Sequence, residues 1–188
     1  MPKITANSVD EHRNQVHHAI FQSLASLMNE RSFDAITMAQ IAAGAGIGRT
    51  AIYHHFPDKD AVVVAFASDE TARYIERLEA VLADTAGPAE ALRVYIRHNL
   101  DSGEQFHVGL GPKLYGLLAP ESRQAIREHV VAIEDVLRSI LQQGLAAGVF
   151  AYDDEAAAMA MVHAGLSARQ VDPTQVEDFL LRGLSTRT

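Results

Sequence analysis

FDAITMAQIAAGAGIGRTAIYHHFPDKD, residues 33–60, is the stretch whose reading decides the fold of this 188-residue chain. Thr37, followed three residues later by Gln40, has the spacing of a capping box. The hydroxyl accepts from the amide of the third helical residue, and the glutamine side chain reaches back to the cap. The helix it opens runs from Met38 to about Ala45, with Met38, Ile41, Ala42 and Ala45 on one face at helical spacing. Ala42, Ala43 and Gly44 are small enough to let another helix approach closely, and Gly46 adopts the left-handed turn without steric cost. Ile47 fills the corner. Gly48 serves as N-cap of a second helix, Arg49 to about His55. Its Ile52 and the following Phe56 face inward, which leaves Arg49, Thr50, Tyr53 and His54 outside. Pro57 stops this helix and Asp58 caps the next. Two short helices across a glycine turn form a helix-turn-helix, whose second helix fits the major groove of DNA.

Composition sets the outer limits. At 48% hydrophobic the chain can bury a real core, as one large or two small domains. Alanine is abundant, and no alternating run of β-branched residues persists, so an all-α fold is expected. With no cysteine, disulfides and cysteine-held metal are excluded. The N-terminus lacks a basic-then-apolar signal pattern and no apolar stretch is long enough to span a bilayer, so the expectation is a soluble, cytoplasmic protein. The formal net charge of −8 runs against a simple DNA-binding expectation. It is unevenly spread. Residues 1–60 hold five Lys or Arg against six acids, with five of the nine histidines, so most of the acid lies downstream. A near-neutral head still binds DNA if a few cations are well placed.

The remaining organisation reads as helical, with about nine helices in all. Residues 1–8 read as disordered, and a first helix from about Asp10 to Arg31 carries Val16, Ile20, Leu24, Leu27 and Met28 on one face, with Phe33 beneath. A helix from about Asp58 to Asp84 links two domains, drawn as 1–57 and 58–188. Gly87-Pro88 breaks the chain before a helix to about Ser102. Residues 103–119, rich in glycine, should be short helices broken by loops. Pro120 opens a long helix to Ala147, with Ile126, Val130, Ile133, Leu137, Ile140 and Leu145 as its buried stripe. Asp153 caps a small-residue helix to about Gln170, and Asp172-Pro173 begins the last.

Thr37, IAAGAG from Ile41 to Gly46, IYHHF from Ile52 to Phe56, and Lys59 together resemble the DNA-binding domain of TetR-family transcriptional regulators. The resemblance covers roughly residues 12–63 and beyond that extends to architecture only. Two positions depart from the pattern: Gly48 stands where Ser or Thr is usual, and Ser32 where a glycine is common. The resemblance implies a ligand-responsive homodimer on a palindromic double-stranded operator, more often a repressor than an activator. The DNA-binding set is then Thr37, Gly48, Arg49, Thr50, Tyr53, His54 and Lys59. Arg49 and Thr50 are candidates for base edges, Tyr53 and His54 for backbone or thymine methyls, and Thr37 and Lys59 for phosphate. Thr37 has a purely capping role as its competing reading, and His55 either supports the fold or touches phosphate.

TetR-like proteins hold a largely apolar small molecule among their middle helices. Tyr95, His98, Asn99, Phe106, His107, Tyr115 and His163 are candidates to line such a pocket, although each also reads as ordinary core or surface. The last two helices would pair with those of a second copy through Met159, Val162, His163, Leu166, Val176, Phe179 and Leu180, with a monomer core as the competing reading. The adjacent pairs His17-His18 and His54-His55 point to different helix faces and lack an HExxH spacing, so no metal is expected, nor any cofactor. No nucleophile elbow, phosphate loop or dinucleotide fingerprint is present, which argues against an enzyme. The alternative is a helical interaction protein, or a small helical enzyme, that keeps the helix-turn-helix shape without binding an operator.

Overall fold

A computed structural model describes residues 6–106, 112–168 and 170–186, and among these the chain is helical without an extended strand. The first part comprises α1 (Ala6–Glu30), a 3-10 turn (Phe33–Ala35), α2 (Met38–Gly44), α3 (Arg49–His55) and α4 (Lys59–Leu82). There follow α5 (Pro88–Phe106), α6 (Pro112–Leu117), α7 (Pro120–Ala146), α8 (Glu155–Leu166) and α9 (Pro173–Leu184). The all-α expectation holds. Four of these helices open on proline, whose fixed φ suits the first helical position and whose missing N–H is not needed there. Several ends differ from the sequence reading: α5 runs on to Phe106 where about Ser102 was expected, and α8 stops at Leu166 where about Gln170 was expected. α1 begins before Asp10, inside the stretch expected to be disordered, and α8 is capped by Asp154 rather than Asp153. The Asp154 carboxylate accepts from the amides of Ala156 and Ala157 at 2.8 and 3.2 Å.

Contacts divide the chain into two compact units, one drawn from Met1–Asp69 and His107–Arg127, the other from Glu70–Phe106 and Glu128–Thr188. The sequence boundary at residue 57 marks the end of α3, but the first unit also takes in the start of α4 and a segment from far downstream. Ile20, Leu24, Phe33, Ile41, Ile52, Phe66 and Leu118 belong to its core. The second unit is built on Tyr74, Leu78, Leu92, Ile96, Leu137, Leu141 and Phe150.

The long helix α7 serves both cores, and this breaks the single stripe expected of it. Ile126 packs against the first core and Ile133 against the second, while Val130 between them is 50% exposed. Leu145 is exposed as well, because the buried position of that turn is Gly144. The ring of Phe150 lies directly on that glycine, so close that a Cβ there would overlap it. Beyond the left-handed Gly148, the backbone of Phe150 pairs with that of Ser185. The Ala151 amide donates to the Leu184 carbonyl at 2.7 Å and the Thr186 amide to that of Val149 at 3.2 Å.

The proposed pairing surface of α8 and α9 needs correction. Met159, Val162, Leu166, Val176 and Leu180 are buried within the chain's own second core. Of the seven residues named, Phe179 is exposed at 78% and His163 is half-buried. α8 is apolar nearly all round, so periodicity could not say which face turns inward. The outward apolar residues are Met161 and Phe179, with Ala157, Ala160 and Ala164 beside Met161 on α8.

One charge is buried among the described residues of this unit. Glu177 on α9 is 2% exposed and receives two arginines of α5. Arg93 Nε donates to its Oε1, and Arg97 donates through Nε to Oε2 at 2.6 Å and through Nη2 to Oε1 at 3.3 Å. Both carboxylate oxygens are therefore satisfied by charge-assisted bonds, as a buried carboxylate requires. No helix among the described residues is long and apolar enough to cross a membrane.

Candidate nucleic-acid interface

The head is assembled by local chemistry. Thr37 sits in extended backbone and forms the full capping box: the Gln40 amide donates to its Oγ1 at 3.3 Å, and its own amide donates to Gln40 Oε1 at 2.9 Å. Its hydroxyl also donates to Gln40 Oε1 at 3.0 Å, so the side chain is engaged within the cap. α2 then packs closely on α1. Ser23, buried on α1, donates from Oγ to the Ile41 carbonyl at 2.9 Å, and a Cβ on Gly44 would overlap that hydroxyl. Gly46 makes the turn at φ +70°, with the amides of Gly46 and Ile47 donating back to the carbonyls of Ala43 and Ala42.

Gly48 caps α3 without a side-chain bond, and its carbonyl accepts from the amides of Ala51 and Ile52. Ile52 is fully buried, which fixes the rotation of the helix. Arg49, Thr50, Tyr53 and His54 are consequently exposed, at positions that share one side of the helix. Tyr53 is the large apolar side chain left out, at 50% exposure. Arg49 makes no ion pair among the described residues, so its guanidinium is available. In composition this face offers a forked donor, a hydroxyl, an aromatic and an imidazole, groups that can read base edges.

Behind that face, aromatic rings seat α3 against α1. The His17 ring lies 4.8 Å from that of Phe56 and meets His55 edge-on at 5.3 Å, with Phe21 alongside. His55 thus contributes a ring to this packing while staying half-buried. Burial, and then the charges of His55 and Arg13, hold the His17 pKa below its ordinary value, with Asp69 opposing them.

Lys59 is placed otherwise than the sequence reading expected. Its ammonium donates to the carbonyls of Phe33 at 2.7 Å, Ile36 at 2.9 Å and Asp34 at 3.4 Å, and lies 4.3 Å from the centre of the Phe33 ring. All three protons are engaged, so the lysine closes the turn before α2 rather than standing open to phosphate. Asp58 caps α4, accepting from the Ala61 amide at 2.8 Å.

The candidate effector residues fall into separate places. Tyr95, His98 and Asn99 share α5: Asn99 Nδ2 donates to the Tyr95 carbonyl at 2.9 Å, and the His98 ring lies 5.0 Å from that of Tyr74, a residue the sequence reading missed, with the two planes tilted by 57°. Tyr95 is 1% exposed, and burial pushes its hydroxyl up to about 12. Burial, and then Arg77, lower the pKa of His98 against the pull of Asp101. Its buried Nε2 has no hydrogen-bond partner among the described residues. Tyr115 belongs to the first unit and donates to the Arg123 carbonyl at 3.4 Å. His163 is half-buried on α8. His107 and the side chain of Phe106 lie outside the described residues.

Two family models match the chain: residues 20–66 fit that of bacterial regulatory proteins of the tetR family, and residues 112–187 fit the tetracyclin repressor-like C-terminal domain. The chain belongs to the TetR family. It is a transcriptional regulator with a helix-turn-helix DNA-binding head and a helical C-terminal domain. Among curated relatives, the HTH-type transcriptional repressor Rv1474c of Mycobacterium tuberculosis (strain ATCC 25618 / H37Rv) is 29% identical over 157 residues, covering 75% of this chain and 82% of that protein. Among solved structures, the TetR-family transcriptional regulator PfmR from Thermus thermophilus is similar at 27% identity and a TM-score of 0.68, over 89% of this chain and 99% of that one. AibR in complex with isovaleryl coenzyme A and operator DNA shares the fold at 21% identity and a TM-score of 0.67, over 90% of this chain and 98% of that one.

Proposed function

We propose that this TetR-family regulator is a cytoplasmic homodimeric repressor that binds a palindromic operator through α3 and releases it when a small molecule binds. It acts by binding and not by catalysis. The exposed Arg49, Thr50, Tyr53 and His54, held outward by the buried Ile52, are the observation that carries this reading. An arginine at this place can pair bidentately with guanine, worth about 1–3 kcal/mol of discrimination. With Lys59 closed onto the 33–36 turn, Arg49 is the main cation of the face. Binding should therefore depend on few contacts and only weakly on salt. The backbone of Gly48 stands beside it as a phosphate contact, while Thr37, whose hydroxyl and amide both donate to Gln40 Oε1, keeps its capping role.

The copies pair, on this reading, through the outward apolar face of α8 and α9, anchored by Met161 and Phe179. A groove of about 370 Å³ between these helices, lined by Ala157, Met161, Val162, Phe179 and Leu184, suits an apolar side chain of the second copy. The effector is a largely apolar molecule with a polar group that meets His98 Nε2, the buried atom without a partner on α5. AibR, which was solved with isovaleryl coenzyme A and operator DNA, is a precedent for a small-molecule ligand on this fold. The ligand favours the conformation whose heads do not match the operator, and affinity falls by the difference in its affinity for the two states.

The test is a footprint on the DNA upstream of the chain's own gene, with Tyr53→Ala and Arg49→Ala beside the wild type. Both variants should lose the footprint while keeping wild-type helicity and dimer mass. A footprint unchanged in both variants, or no specific shift by the wild type at low salt, sinks the reading. Phe179→Glu should yield a folded monomer by light scattering; a stable dimer would remove the anchor assigned here.

A further inference from the structure

Each adjacent histidine pair of the head divides between two faces. His18 and His54 are exposed, whereas His17 and His55 are half-buried and meet across the seam between α1 and α3. The seam is aromatic throughout. The His17 ring lies 4.8 Å from that of Phe56 and 6.0 Å from that of Phe21. Phe21 in turn lies 6.0 Å from Phe56 and 5.9 Å from Phe66 of α4. All these rings belong to one compact unit.

α3 depends on its neighbours for its place. Seven residues are too few for a helix to persist alone, its N-cap makes no side-chain bond, and Ile52 is the residue buried within it. Toward α2 it is held by the glycine turn; toward α1 the rings make the contact. A neutral imidazole packs in that seam as any aromatic ring would. An imidazolium carries two N–H donors, which phenylalanine faces do not satisfy as water does, and sets its charge beside a second imidazole. Burial weighs most against a proton on His17, then His55 of α3 and Arg13 one turn earlier on α1, while Asp69 of α4 favours one.

We propose that His17 is a positioning residue for the recognition helix, and that its protonation unseats α3 and weakens the operator complex. The head then carries an acid-sensitive release of its own, separate from the small-molecule effector. This rests on the operator reading above. The sign follows from the preference for a neutral ring. Seated α3 is favoured above pH 6.5, the ordinary histidine value, and loses that advantage as pH falls from there. His54 on the recognition face works in the opposite direction, because a positive charge there draws phosphate. A residue at position 17 that does not titrate keeps this attraction and removes the release.

Full-length protein is measured by fluorescence anisotropy on the footprinted duplex at about pH 8 and about pH 5.5, at constant salt. His17→Phe keeps a ring in the seam and should bind as wild type at the higher pH. His17→Gln loses the ring and should start weaker. The affinity of wild type relative to each variant should fall about fivefold at the lower pH, the low end of couplings between two sites. Ratios that do not change with pH would overturn the proposal.

Hydrogen exchange without DNA separates this proposal from the operator reading. Amides of α3, such as that of Phe56 on the Ile52 carbonyl, should lose about fivefold in protection between the same pH values, after correction for intrinsic rates. Those of α2, held by the capping box, should keep theirs, and His17→Phe should show no loss in either helix. Unchanged protection of α3, or an equal loss in α2, refutes the acid-sensitive seat whatever the protein does with DNA. The expected loss in a protein that binds no operator would count against the operator reading instead.

Discussion

The two compact units of this chain are stabilised in different ways. In the first, short helices are set by neighbours in sequence: a capping box within four residues, a glycine turn, and one buried isoleucine that rotates α3. In the second, Asp154 and Asp172 start α8 and α9, but the helices are held by a shared core and by a buried carboxylate between two arginines. Local chemistry presents side chains to an outside partner with little latitude. Distant contacts allow the second unit to be repacked, which suits the ligand response proposed for it. The difference predicts where each unit is fragile.

The largest effect should come from stranding Glu177. Arg93→Ala with Arg97→Ala leaves a carboxylate that is 2% exposed without partners, and about 4 kcal/mol of stability should be lost from the second unit. Urea unfolding checks this; a loss below about 1 kcal/mol would mean that water replaces the arginines and that the triad is a surface feature. In the head, Ile52→Ala should cost about 3 kcal/mol by opening a cavity under α3. The melt should then separate into two transitions; a single cooperative loss would show that the units do not unfold apart. Gly46→Ala meets no neighbouring atom, so its cost of about 1 kcal/mol would be backbone strain at positive φ alone.

His17 supplies a test by pH. Its folded pKa is depressed below 6.5, so the fold favours the neutral ring. The resulting stability is present above pH 6.5 and is lost as pH falls from there toward the folded value. The head's unfolding midpoint should drop over that window, and His17→Phe should flatten the slope; an equal slope in the variant would assign it to another group. The smallest effect is expected at Gly48, which has open space around it and an ordinary φ of −66°. Gly48→Ser should gain a few tenths of a kcal/mol by supplying the missing cap bond.

The same contrast explains what the sequence could disclose. Thr37, Gln40, Gly46 and Ile52 announce their roles because each acts on a residue within a turn or two. Lys59 misleads because its partners lie 23 to 26 residues upstream, and nothing near it signals three waiting carbonyls. Arg93, Arg97 and Glu177 do not stand out at all, since their meaning depends on residues 80 to 84 positions away. Val130 and Leu145 fit the stripe of α7, but no stripe records that one helix serves two cores or that a phenylalanine ring takes the place beside Gly144. On α8 the failure is one of contrast: where nearly every side chain is small and apolar, spacing does not mark the inward face.

The backbone pairing of Phe150 with Ser185 gives the last two helices a mechanical property. α8 and α9 are joined at one end by the 167–172 connection and at the other by the Ala151–Leu184 and Val149–Thr186 hydrogen bonds, so they form a closed ring. Neither helix can slide along the other without first opening that clasp. A pull on the chain beyond Thr186 would load these two bonds before it reached either helix, and the pair would yield in one step or move as a single rod.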